Sequence, residues 1–225
     1  MNDFWTVVRK ELDTYDLLSH PFYLAWTAGD LVPEEIGFYA WQYLNHVAAF
    51  PTYLTALHSR LSDGATRRAI LANAAEEEAQ GTAHADLWEQ FASEMDPDRG
   101  LGKCEILPEV RRLVQSYRDM AQNATPPMAL GAFYAYESQV PMLAEAKLAG
   151  LKAFYGASDA ACAYFELHRT ADIRHTKAWG RLIDHSIEKN PRCALEVLDG
   201  VKRGAMALWY ALDGIETKRQ TLLTQ

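Results

Sequence analysis

Apolar side chains recur every three to four positions through most of the chain, the spacing typical of amphipathic helices. β-Branched runs that alternate with polar residues, the mark of strands, are nearly absent. Breaks rich in Pro, Gly and Asp fall between long segments, at SHP (19–21), AGDLVPEE (28–35), MDPDRGLG (95–102), NATPP (123–127) and KNP (189–191). The pattern predicts an all-α protein that folds as a compact bundle of about seven helices.

The breaks also predict where the helices run. We expect one helix before SHP, one on each side of NATPP, and four more at about 33–60, 65–94, 158–188 and 191–220. The connections are short, and no linker, repeat or low-complexity tract interrupts the 225 residues. A single domain over 1–225 is therefore expected.

Composition narrows the possible partners and the compartment. The net charge of −8 argues against nucleic acid or an anionic membrane as a partner. No apolar run reaches the length of a membrane span, and the N-terminal stretch MNDFWTVVRKEL has no signal-peptide core. Cys104, Cys162 and Cys193 form no CxxC pair and suit a reducing compartment, so we expect a cytoplasmic protein.

The stretch ELHRTADIRHTKAW, residues 166–179, places three polar side chains along one line of a helix. His168, Asp172 and His175 fall within about 60° of arc at 100° per residue. Their neighbours on this stripe are apolar or aromatic, so the stripe is expected to face inward. Buried polar groups need partners, and either a metal ion or hydrogen bonds inside the core would provide them.

Two further segments carry candidate ligands. In AAEEEAQGTAHADLW, Glu77 and His84 are seven residues apart, which is two turns on the same helix face, whereas Glu76 and Glu78 fall off that line and suit a solvated face. Glu137 is a single carboxylate inside the apolar, aromatic run LGAFYAYESQVPML. Because burying it ionised and unpaired is costly, it needs a cation or a metal unless it reaches a helix end or solvent.

Three carboxylates and three imidazoles together suit two divalent first-row ions, either Fe/Fe or Mn/Fe. A lone zinc site would use fewer ligands. Open coordination positions on such ions could take O₂. The set lacks the repeated Glu-x-x-His pair of ferritin-like bundles, so a different helical scaffold is expected.

Four stretches resemble the haem-oxygenase-like helical family that includes TenA and PqqC. They are HPFYLAWTAGDL, YLNHVAAFPTYLTALHS, YAYESQVP and ELHRTADIRHTKAW, and the resemblance runs from about Leu17 to Trp209. The resemblance is greatest to the CADD-like branch of di-metal oxygenases. This chain has a matching residue at each of the six positions of that branch's metal-ligand signature. That branch implies an O₂-dependent synthesis of para-aminobenzoate for folate, with an external reductant and a homodimer as further expectations.

The resemblance also implies roles for four more residues. Tyr23 matches the tyrosine that the family sacrifices for the aromatic ring, and Lys147 matches the lysine that donates the amino group. Tyr136 and Tyr164 match tyrosines near the metals that serve radical or electron transfer. By residue type alone these tyrosines could be core fillers and Lys147 a surface lysine.

Other functions stay open at this stage. The same metals could serve an oxygenase that acts on an external small molecule, or the chain could be a death-domain-type interaction protein. A PqqC-like function is disfavoured because PqqC is cofactor-independent and lacks this ligand set. A TenA-like hydrolase would need a nucleophilic cysteine, and no pairing that would activate Cys162 is evident.

Overall fold

The computed structural model describes residues 2–81, 83–98 and 105–223, and Cys104 lies outside this part of the chain. Within it the protein is built from ten α-helices and one short 3₁₀ helix, Leu17–Ser19. The α-helices are α1 (Asn2–Thr14), α2 (Pro21–Ala28), α3 (Pro33–Arg60), α4 (Gly64–Glu77), α5 (His84–Met95), α6 (Pro108–Gln122), α7 (Pro126–Glu137), α8 (Val140–Phe154), α9 (Asp159–Lys189) and α10 (Cys193–Leu223). The all-α prediction is confirmed.

The helix count exceeds the predicted seven because two predicted helices are broken and the short α2 is added. The segment predicted as one helix over 65–94 divides into α4 and α5. Helix α4 ends at Glu77, and Gly81, four residues further on, adopts φ +82°, a left-handed conformation that a continuous helix does not contain. The helix predicted after NATPP divides into α7 and α8. Pro141 lies in the first turn of α8, and in a continuous helix its ring would clash with the carbonyl of Glu137.

Helices α7 and α10 pack with their backbones in close contact through glycines. A Cβ atom at Gly131 would collide with the Val197 carbonyl oxygen, and one at Gly200 with the Met128 carbonyl oxygen. These positions therefore allow α7 to lie deep in the core, where its last turn delivers Glu137.

Helix α9 is the long element that organises the centre of the bundle. Its N-terminus is capped by the Ser158 hydroxyl, which accepts a hydrogen bond from the Ala161 amide at 3.2 Å. Along its length α9 packs against α4, α5, α7 and α8. Of the helices in the described ranges, none combines the length and apolarity needed to cross a lipid bilayer.

Candidate metal centre

The six residues predicted as metal ligands lie together in the interior. Their exposed fractions are at most 6 %, for Glu77, His84, Glu137, His168, Asp172 and His175. Three of them come from α9 and three from helix ends. Glu77 is the last residue of α4, His84 the first of α5 and Glu137 the last of α7.

The reason we gave for pairing Glu77 with His84 is wrong, although the two side chains do meet. They do not share one face of a continuous helix, because the chain leaves the helix after Glu77 and re-enters it at His84. Glu77 Oε2 nevertheless lies 2.7 Å from His84 Nδ1. Helix ends, rather than helical periodicity, therefore position this pair.

Two groups of donor atoms converge, and Glu77 belongs to both. The first consists of Glu77, His84 and His168, and the second of Glu77, Glu137 and His175; in each group the donor atoms lie within 4.8 Å of one another. His168 Nε2 is 3.1 Å from His84 Nδ1, and His175 Nδ1 is 3.6 Å from Glu137 Oε2. This geometry suits two ions that share the Glu77 carboxylate.

Asp172 stands beside the second group. Its Oδ1 lies 3.4 Å from His175 Nδ1, and its buried Oδ2 has no hydrogen-bond partner among the described residues. A buried carboxylate oxygen without a partner is costly, and a divalent cation would satisfy it. Imidazole nitrogens and carboxylate oxygens are also the donors that iron and manganese accept, so the residues present fit such ions.

The electrostatics of the second group indicate excess negative charge. Burial raises the pKa of Glu137, and the nearby Asp172 carboxylate raises it further. Burial also raises the pKa of Asp172. Burial lowers the pKa of His175, but the Asp172 and Glu137 carboxylates outweigh this and raise it to about 9. A bound divalent ion would relieve the crowding of these carboxylates.

Hydrogen bonds from outside the donor set hold the candidate ligands in place. Asn73 Nδ2 donates to Glu137 Oε1 at 2.9 Å, and Trp179 Nε1 donates to Glu137 Oε2 at 2.6 Å. His168 Nδ1 lies 2.7 Å from the Tyr164 carbonyl oxygen, so it is the donor there and Nε2 keeps its lone pair for an ion. Burial, followed by the neighbouring His84, lowers the pKa of His168 to about 3, so the ring is neutral and able to ligate.

Sequence reasoning missed Asn73 and Trp179, and it placed Glu76 on a solvated face. The signal for the first two was spacing. Asn73 precedes Glu77 by four residues and Trp179 follows His175 by four, so each continues a ligand stripe by one turn. Glu76 lies 3.0 Å from His175 Nε2, through a contact between α4 and α9 that no local pattern reveals.

Lys147 and Tyr23 lie together in a second buried cluster. Lys147, which looked like a surface lysine, is 6 % exposed, and Tyr23 is 2 % exposed. Lys147 Nζ lies 4.8 Å from the centroid of the Tyr23 ring and donates a hydrogen bond of 2.7 Å to the Tyr39 hydroxyl. The Tyr39 hydroxyl is in turn 2.9 Å from that of Tyr23. Burial lowers the pKa of Lys147 to about 7, so a large fraction of the amine is neutral near neutral pH.

Tyr164 and Tyr136 lie between the two clusters. The Tyr164 ring stacks on His168 with centroids 3.8 Å apart and an interplanar angle of 19°. Tyr136 lies near Tyr164 and Tyr43, because all three side chains line one cavity. Tyr43 then stacks on Tyr39 at 5.5 Å. Aromatic side chains around this cavity thus connect the His168 imidazole, a candidate metal ligand, to Tyr39, which accepts a hydrogen bond from the lysine.

A small cavity lies along this path. Its volume is about 20 Å³, room for one or two molecules of the size of water or O₂. Its lining includes Tyr43, Tyr136, Lys147 and Tyr164. Cys162 does not provide a TenA-like alternative, because it is 1 % exposed and burial raises its thiol pKa.

The helical fold and the buried imidazole and carboxylate donors together define a haem-oxygenase-like protein with a candidate metal centre. Known families and structures agree with this class. The family described as iron-containing redox enzymes, of haem-oxygenase type, matches residues 38–209. The chain therefore belongs to this family, and it is a redox enzyme.

Two curated relatives extend over most of the chain. A protein of Nitrosomonas europaea named 4-aminobenzoate synthase is 38 % identical, over 95 % of this chain and 91 % of the relative. One of Chlamydia pneumoniae with the same name is 35 % identical, over 88 % of this chain and 92 % of the relative. The resemblance to the para-aminobenzoate synthase branch, para-aminobenzoate being 4-aminobenzoate, is confirmed.

The fold is also similar to a solved structure. A domain of unknown function with a heme oxygenase-like fold, from Shewanella denitrificans OS217, superposes with a TM-score of 0.82. The match covers 99 % of this chain and 94 % of that chain at 15 % identity. At this identity the likeness supports the fold class alone.

Proposed function

We propose that this protein is a 4-aminobenzoate synthase that makes its product from its own residues, Tyr23 providing the ring and Lys147 the amino nitrogen. The names of the two curated relatives support the product. The observation that carries the self-sacrifice is the contact between the two donor residues. A buried amine, partly neutral at neutral pH, lies 4.8 Å from the centre of a buried phenol ring.

The available space supports an internal ring. The cavity next to Lys147 has a volume of about 20 Å³, too small for an aromatic substrate beside the side chains already there. Tyr23 is held against Tyr39 by a hydrogen bond and packs edge-on against Phe22 with centroids 5.5 Å apart. These contacts fix the phenol and exclude bulk water from it.

In this proposal Glu77, His84 and His168 would hold one ion, and Glu77, Glu137, His175 and Asp172 the other. When bound, iron or manganese at these positions would supply electrons to O₂ one at a time. An external one-electron reductant would restore them. The Tyr23 Cα–Cβ bond would break and Cβ would be oxidised by O₂ to the carboxyl carbon of the product. A ring C–N bond to Lys147 Nζ would replace the phenol C–O bond, the oxygen leaving as water, and the Lys147 Cε–Nζ bond would break to release the product. Tyr164 and Tyr136 would carry the oxidising equivalent toward Tyr23, since Tyr164 stacks on His168 and both tyrosines line the cavity that Lys147 also lines.

A protein that consumes its own side chains makes at most one product molecule per chain. Metal-reconstituted protein, given O₂ and a reductant but no organic substrate, is therefore expected to release up to one 4-aminobenzoate per chain. The Lys147→Met variant is expected to release none. Lys152→Met is the matched control, because Lys152 is half exposed on the same helix and pairs with Glu166. Release of many product molecules per chain would contradict the proposal.

A second candidate is an oxygenase for an external small molecule, and a surface pocket favours it. This pocket, of about 230 Å³, opens between α4 and α9 and is lined by His175 and Trp179 among others. Ala72 also lines it, so Ala72→Phe would fill it. If the second candidate is right, Ala72→Phe should abolish turnover of the external substrate. If the internal reaction is right, the same variant should still make its single product molecule per chain.

A further inference from the structure

The two nitrogen atoms of His175 face different surroundings. Nδ1 points to the inner carboxylates, 3.4 Å from Asp172 Oδ1 and 3.6 Å from Glu137 Oε2. Nε2 points the other way and lies 3.0 Å from Glu76 Oε2. An imidazole that binds an ion through one nitrogen carries its proton on the other, and here a carboxylate stands where that proton would be.

Glu76 is itself held in place. The same Oε2 atom accepts a hydrogen bond of 3.1 Å from Arg174 Nη2. The Glu76 side chain is 42 % exposed, whereas that of His175 is 7 % exposed. Glu76 thus spans from solvent to the rim of the donor set. It lies on the far side of the imidazole from Glu137, so it approaches His175 from outside the convergent donor atoms.

We infer that Glu76 is a positioning residue for the second metal position: it accepts the Nε2–H of His175, so that Nδ1, beside Glu137 and Asp172, is the nitrogen that gives up its proton and binds the ion. Carboxylates that accept the remote N–H of a ligating histidine fix its ring and tautomer and raise its basicity. The inference rests on the proposed di-metal centre. It assigns to Glu76 a role that neither its place on the helix face nor the resemblance suggested.

The first metal position uses a different device. His168 is oriented by a hydrogen bond to the Tyr164 backbone carbonyl, which no substitution removes. The orientation of the His175 ring depends instead on the Glu76 side chain. The two positions should therefore respond differently to a change at residue 76: the second should weaken while the first is retained.

Metal binding tests the difference. Titration of the apoprotein with Mn²⁺ is expected to show two sites, and Glu76→Ala should weaken one of them by about 10–100-fold. Glu76→Gln keeps an oxygen acceptor and should recover part of that loss. Glu78→Gln, at an exposed neighbouring position, should bind both ions as the wild type does. Unchanged binding in Glu76→Ala, or equal weakening at both sites, would overturn the inference.

A spectroscopic readout separates positioning from a merely structural role. In zinc-loaded wild-type protein, ¹⁵N NMR of His175 should show Nε2 protonated and Nδ1 bound to the ion. A metal-bound Nε2 would overturn the inference whether or not the variants fold. Wild-type protein that binds fewer than two ions would overturn both the inference and the di-metal centre. Two ions with Glu76→Ala unaffected would overturn the inference alone.

Discussion

The amine nitrogen of Lys147 lies 4.8 Å from the centre of the Tyr23 ring, although the two residues come from α8 and α2. The Tyr39 hydroxyl connects them, since it accepts a hydrogen bond from Lys147 and is hydrogen-bonded to the Tyr23 hydroxyl. A lysine buried among aromatic rings is costly for stability. Its placement is explained if the amine reacts there.

Removal of the Tyr23 hydroxyl should abolish product formation. In the proposed reaction the phenol is the group that is oxidised, and phenylalanine has no O–H from which an electron and a proton can be removed. Metal-loaded Tyr23→Phe is expected to release no 4-aminobenzoate while it retains its metal content. The control is Tyr53→Phe, which should release product as the wild type does. The Tyr53 hydroxyl is also buried, but it has no hydrogen-bond partner among the described residues. Normal product yield from Tyr23→Phe would rule out Tyr23 as the ring donor.

The burial of Lys147 should make stability depend on pH. Its pKa is lowered from the ordinary 10.5 to about 7 in the folded protein. Between these values the unfolded chain binds the proton and the folded chain releases it, so the free energy of unfolding rises with pH. From pH 7 to 9 this contribution is about 2 kcal/mol.

Denaturant titrations of wild type and Lys147→Met at the two pH values measure this contribution. The stability difference between the two proteins should change by that amount, with the wild type gaining on the variant at the higher pH. A difference that does not change with pH would show that the lysine is not held in the neutral form.

Removing a candidate ligand that serves both metal positions should cost more bound metal than removing one that serves a single position. Glu77 belongs to both groups of donor atoms, whereas His84 belongs to one. Glu77→Ala is expected to remove both ions at stoichiometric metal, and His84→Ala to remove one. Metal analysis after gel filtration distinguishes the two outcomes, with Glu78→Ala as the exposed control. Equal losses from both variants would contradict a bridging Glu77.

Alanine should have opposite effects at two helical glycines, one inside the contact of α7 with α10 and one outside it. At Gly200 the added methyl group would meet the Met128 carbonyl oxygen, so Gly200→Ala should destabilise by about 1–3 kcal/mol or more. At Gly180 in α9 the nearest atom is a Trp5 ring carbon at 3.8 Å, so Gly180→Ala should stabilise by about 0.5–1 kcal/mol. Thermal unfolding of the two apoproteins measures both effects. A stable Gly200→Ala would show that the helices separate easily.

The sequence correctly predicted the positions of side chains where the regular periodicity of a helix determines them. His168, Asp172 and His175 follow one stripe of an unbroken helix, and their burial follows from the apolar residues around them. The division of two predicted helices was missed, because it depends on a left-handed Gly81 and on Pro141 after Glu137. Both breaks lie beside candidate ligands, so the irregular backbone positions the candidate centre.

The remaining parts of the site depend on tertiary contacts. Tyr39 and Glu76 reach their partners from other helices, and neither has a local signature. Tyr23 and Lys147 were assigned through the resemblance rather than from their spacing. The single domain, the homodimer and the cytoplasmic location stay predictions.

Isotope labelling tests the central claim most directly. Protein is produced with ring-¹³C tyrosine and ε-¹⁵N lysine, purified, loaded with iron and manganese, and exposed to O₂ and a reductant with unlabelled tyrosine and lysine in solution. Mass spectrometry of the released 4-aminobenzoate is expected to show six ring ¹³C atoms and one ¹⁵N atom in the same molecule. Unlabelled product from labelled protein would contradict the account, because ring and nitrogen would then come from outside the chain.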